Sequence, residues 1–172
     1  MKKLKFWIFC CIICFYTSTA FCAGTVAITS SVKTGVGVYG GIKTVTCTCV
    51  GDAANGSIPN TAFSSTLIAT LEKSDYCLFK VRTIAGSTSP TDDSDVYLWM
   101  NLASGTVDLL GGAGVNALDS LGTAAHGQEF LPLVGASTVL QPVTDGLTLQ
   151  VSNQVVHSAR YTIEFIFVAK PK

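Results

Sequence analysis

Alternation with a period of two is the feature that most limits what this chain can fold into. Lys43 to Val50 reads KTVTCTCV, with Val45, Cys47 and Cys49 on one side and Thr44, Thr46 and Thr48 on the other. Such a stretch suits a strand with one face buried and one face wet. Tyr76 to Asp95, YCLFKVRTIAGSTSPTDDSD, repeats the pattern and then breaks it. Strict alternation puts Cys77, Phe79, Val81 and Thr83 on an apolar face and Leu78, Lys80, Arg82 and Ile84 opposite. Gly86 to Asp95 gathers Gly, Ser, Thr, Pro and Asp, which is turn chemistry. Val96, Leu98 and Met100 resume the alternation.

The same signals recur along the chain. Strands are expected at Thr25–Ser31, Lys43–Val50, Cys77–Ile84, Val96–Asn101, Thr106–Leu110, Glu129–Val134, Leu147–Asn153 and Arg160–Val168, separated by Gly-, Ser-, Asn- and Asp-rich turns. The last is the most apolar and is expected at the centre of a sheet. Gly111 to Gly127 reads as a long crossing loop. Asn60 to Glu72 differs: Phe63, Leu67, Ile68 and Leu71 have helical spacing behind a cap at Asn60 or Thr61, so a short helix is favoured over a strand. Many short strands at this spacing predict an all-β fold, a single β-sandwich or jelly-roll-like domain with one helix.

That domain is expected to occupy residues 21–172, behind a signal peptide at residues 1–20. Lys2, Lys3 and Lys5 precede an apolar run of 11 residues, Phe6 to Tyr16, and the small residues Ser18 and Ala20 follow. This is a secretory leader with cleavage after Ala20; the run falls short of the roughly 20 residues a bilayer-spanning helix needs. Removing the leader leaves eight basic and eleven acidic residues, a net charge of −3. Without a basic cluster, nucleic acid is an unsuitable partner, and no membrane association is expected once the leader is gone. The expected location is extracellular or periplasmic. Charged residues make up 13% of the chain, against about a quarter in typical domains. Little repulsion therefore holds copies apart, and self-association or binding to other structural proteins is expected.

Cys10, Cys11 and Cys14 leave with the leader, so Cys22, Cys47, Cys49 and Cys77 are the disulfide candidates in an oxidising compartment. Cys49 with Cys77 would close a loop of about 28 residues, a stabilisation of roughly 3–4 kcal/mol. Cys22 would then pin the N-terminal arm to Cys47. C-x-C with one distant Cys is poor zinc spacing. Asp92, Asp93 and Asp95 lack the Gly and distal Glu of a calcium loop and read as turn residues. Neither a metal nor a cofactor is expected. His126 and His157 have no G-x-S-x-G frame beside them. Glu129 and Glu164 are a weak signal for paired acids. Gly111–Asn116, GGAGVN, lacks the ending of a phosphate loop. Tyr97 and Trp99 share a strand face and form a candidate platform for a glycan. No residue set signals catalysis.

The segments YCLFKVRTIAGSTSPTDDSDVYL, VDLLGGAGVNALD, DGLTLQVSN and YTIEFIFV resemble a family of small tailed-phage and prophage proteins associated with the virion. The likeness runs over about Tyr76–Val168 and rests on ordered turn motifs: V-x-T-x-x-G, P-T-D, D-L-L-G-G and L-T-L. It implies an all-β structural protein with no catalytic residues. The leader and the C-x-C pair lie outside that pattern and fit an exported relative. The expectation is an exported structural or assembly protein, on a virion or a cell surface, with a secreted carbohydrate-binding or adhesin module as the alternative.

Overall fold

The computed structural model describes residues 23–34, 41–118, 128–134 and 137–169. The expected leader, Cys22 and His126 lie outside them. Strands dominate, in antiparallel sheets. They are β1 (Thr25–Thr34), β2 (Gly41–Val50), β3 (Thr61–Ala62), β4 (Tyr76–Ala85), β5 (Asp95–Leu102), β6 (Gly105–Asp108), β7 (Gln128–Phe130), β8 (Leu133–Val134), β9 (Ser137–Thr138), β10 (Gln141–Pro142), β11 (Gly146–Ser152) and β12 (Arg160–Ala169). One helix, α1 (Ser65–Lys73), lies between β3 and β4.

The larger sheet runs β1-β2-β12-β4-β10, with β7 also paired to β4; the smaller runs β3-β11-β5-β6, and β8 and β9 form a separate hairpin. The chain's last strand is therefore central, as its apolar content predicts. Both sheets contribute to one core. Val45, Cys47 and Cys49 from β2 meet Tyr161, Ile163, Phe165 and Phe167 from β12, together with Leu98, Leu147 and Leu149 from the smaller sheet. α1 closes part of that core with Leu67, Ile68 and Leu71, and the Phe63 ring lies 6.0 Å from Phe165. The helix begins three or four residues later than its spacing suggests. Ser64 is the cap, its side chain accepting from the Leu67 N–H, because Thr61 and Ala62 are committed to pairing with β11.

β4 departs from strict alternation. Its register against β12 shifts between Ile166 and Phe167, so that Lys80 lies opposite Ile166 and Leu78 opposite Phe167. Phe79 is the extra residue, a β-bulge. The inner row is therefore Tyr76, Leu78, Val81 and Thr83, while Cys77 shares the outer face with Val168, its opposite number. Thr83 is fully buried, and its hydroxyl donates to the Ala117 carbonyl, 3.0 Å. The expected strand over Glu129–Val134 is split into β7 and β8 at Leu131-Pro132, where proline cannot donate to a ladder.

Candidate functional site

The bridge expected to Cys77 from Cys49 or Cys47 is not formed. Cys47, Cys49 and Cys77 are buried and none is joined to another. Register gives the reason. Cys49 lies opposite Tyr161 and Cys77 opposite Val168 on the strand between them. That is seven residues along β12, or roughly 25 Å between the two cysteines, where a bridge needs Cα atoms within about 7 Å. Cys47 is nearer by only two residues. Cys47 and Cys49 also point into the core, whereas Cys77 points out. Burial raises both inner thiols, Cys49 to about 12 and Cys47 further, with the neighbouring Cys49 adding to the latter. They behave as small apolar core residues. A bridge from Cys22 lies outside the described residues.

Tyr97 and Trp99 lie on the outer face of the smaller sheet, half-buried. Their rings stack at 5.3 Å and 13°, so each covers one face of the other. Trp99 Nε1 donates to Gln150 Oε1, 2.6 Å, and Asn101 Nδ2 to Thr148 Oγ1, 3.1 Å. Burial, then the Asp95 carboxylate, raises the Tyr97 phenol. The pair is an aromatic ridge flanked by amides and hydroxyls.

The carboxylates of the turn motifs bond within the fold. Asp95 is buried and accepts from Asn116 N (2.9 Å), Asn153 Nδ2 (2.9 Å), Ser152 Oγ (3.3 Å) and Tyr97 Oη (3.4 Å). Asp108, which opens D-L-L-G-G, accepts from the N–H groups of Leu98, Leu110 and Gly112. Two of the glycines after it, Gly111 and Gly114, are steric requirements. A Cβ on Gly111, where φ is +60°, would overlap the Leu133 carbonyl, and one on Gly114 the Val96 carbonyl. Thr91 of P-T-D meets Gln154, a residue without any sequence signal. Buried Gln154 donates to the Gly56 and Val156 carbonyls and accepts from Thr91 N and Oγ1 and from Val156 N. One amide thus ties three loops together. Asp92 and Asp93 are exposed in the same turn, and no metal-binding cluster of His, Cys, Asp and Glu occurs among the described residues.

Across the outer face of the larger sheet, Glu129, Arg82 and Glu164 lie in register on β7, β4 and β12. Arg82 bonds both glutamates, at 2.7 and 3.4 Å, and Lys80 reaches Glu129 at 2.8 Å. Hydrogen bonds from Lys80 and then Arg82 hold the Glu129 carboxyl below its usual range, opposite to what a general acid needs. His157 is exposed in the turn before β12. The bulged Phe79 joins Leu131, Pro132, Thr138, Val139 and Leu140 around a cavity of about 180 Å³. No helix among the described residues is long and apolar enough to cross a membrane. Comparison with protein-family models, curated proteins and solved structures finds no match to this chain.

Proposed function

We propose that this chain is an exported, non-catalytic structural subunit, carried on a virion or a cell surface and built as a two-sheet sandwich behind a cleaved leader. One observation carries the reading. The polar side chains of the turn motifs that carry the resemblance are spent inside the fold. Asp95 and Asp108 each make three or more hydrogen bonds to the protein's own groups. Carboxylates held in this way shape loops and are not left free to act on a substrate. The low charge of the surface favours assembly. The test is fractionation of producing cells and of released particles, with light scattering on the purified chain. The subunit co-sediments with particles or cell envelope and self-associates. A strict monomer found in neither fraction overturns the reading.

Glycan binding is the second reading, favoured by the half-exposed Tyr97–Trp99 ridge beside Gln150 and Asn101. Sugar rings stack on aromatic faces, and the ridge offers one face on each side. A glycan array on the intact chain and on Trp99→Ala decides it: binding lost in the variant supports this reading, and an array without signal removes it.

A further inference from the structure

The edges of the two sheets are unequal. The far side of β4 is shared by β7, three residues long, and β10, two residues long and containing Pro142. The smaller sheet ends in β3, two residues, and β6, four residues. Short strands, proline and charged side chains, lysine above all, are what proteins use to blunt an edge. β1 has only one of these, Lys33 near its end. It is ten residues long, TVAITSSVKT, and pairs with β2 through an unbroken register. It contains no proline and no acid, and its single charge is Lys33. Nothing among the described residues pairs with its other side. Thr25, Ala27 and Thr29 to Lys33 are exposed, Val32 to 50%. Beside it, a groove of about 360 Å³ lies between the two sheets, lined by Val26, Ile28, Thr61, Ala62, Ser64 and Leu67.

We propose that two copies of this chain join through β1, antiparallel about a two-fold axis at Thr29. Thr29 of one copy then lies opposite Thr29 of the other, Val26 opposite Val32, Ile28 opposite Ser30, Ala27 opposite Ser31 and Thr25 opposite Lys33. The strand's own sequence suits a second copy of itself. In this register exposed Val32 covers half-buried Val26, and Lys33 meets a threonine rather than a like charge. Such a pairing is isologous, keeps the inner faces of both larger sheets on one side, and closes both open edges at once. The proposal rests on the structural-subunit reading and names the surface by which the subunit would assemble.

Cysteine cross-linking tests it on the full chain, processed as in its source, in a Cys22→Ser background. Thr29→Cys is expected to oxidise to a covalent dimer much faster than Thr106→Cys, an exposed control on β6, because directly opposed residues bring their Cβ atoms within about 5.5 Å. Thr29→Glu puts two like charges opposite each other and is expected to weaken the dimer about fivefold with an unchanged circular dichroism spectrum and, under conditions where both chains are monomeric, the same melting temperature. Val32→Lys, also exposed, is the second variant. If the chain associates but Thr29→Cys does not cross-link and neither charge variant weakens association, pairing through β1 is wrong while the structural reading stands. A chain that is monomeric alone yet co-sediments with particles also overturns the pairing of copies and points to a strand from another protein. A monomer in no particle sinks both ideas.

Discussion

Gln154 offers the sharpest test of how this fold is held together. Its side chain makes five hydrogen bonds of 2.7–3.0 Å to Gly56, Thr91 and Val156, and only 5% of the residue is exposed. Gln154→Ala leaves the buried Gly56 carbonyl without its donor and part-buried groups of Thr91 and Val156 without theirs. With about 1–1.5 kcal/mol for each of two or three orphaned groups, the loss is about 2–4 kcal/mol. For a domain near 150 residues this lowers the melting temperature by about 5–15 °C. Gln154→Glu sharpens the test. It replaces the donating amide, which faces two carbonyls, with an oxygen, so the folded state favours the protonated acid and the folded pKa rises. Stability is then retained below the unfolded value of about 4.3 and lost as pH rises through the folded one. Urea unfolding at about pH 4 and pH 7 is expected to show the Glu variant closer to the parent in acid. A loss below about 0.5 kcal/mol for the alanine variant, or the same pH profile for the parent and Gln154→Glu, would show that the Gln154 amide does not hold these loops.

The hydroxyl of Tyr161 is buried with no hydrogen-bond partner, so Tyr161→Phe is expected to stabilise by up to about 1 kcal/mol in urea unfolding; a loss would mean that the hydroxyl is satisfied in solution. Raised thiols make the fold alkali-sensitive. Because the Cys49 thiol goes from 9.0 to about 12 on folding, stability is full below 9.0 and falls as pH climbs toward the folded value, since the unfolded chain ionises first. Melting under reducing conditions at neutral and alkaline pH checks this, and native Cys47 and Cys49 are expected to resist alkylation until the chain unfolds. Asp108→Ala removes the acceptor for three backbone N–H groups and is expected to cost about 2–3 kcal/mol, read by urea unfolding. A neutral result would show that the D-L-L-G-G turn holds without its carboxylate.

Much of the fold is legible residue by residue. KTVTCTCV is a strand with Val45, Cys47 and Cys49 inward, and Leu67, Ile68 and Leu71 form a helical face. Arg160 to Val168 announces its central place by its apolar row. The failures share one cause. Phe79 as a bulge, the separation of Cys49 from Cys77, and the clasp of Gln154 on Thr91 each depend on what another segment does many residues away. No local pattern distinguishes Gln154 from any other loop amide.

The two-residue strands β3, β9 and β10 carry no pattern of their own, whereas the long strands, their main turns and, away from bulges, their inward faces are legible in the sequence. Those properties follow from the two-residue repeat of an extended chain and from the backbone preferences of Gly, Pro, Asp and Ser. The tertiary structure set the order of the remaining strands, the register that keeps the cysteines apart, and the open edge that β1 presents among the described residues. Such pairings are set when all the strands compete for partners around one core, and a slip of one residue in any of them would turn its buried face outward.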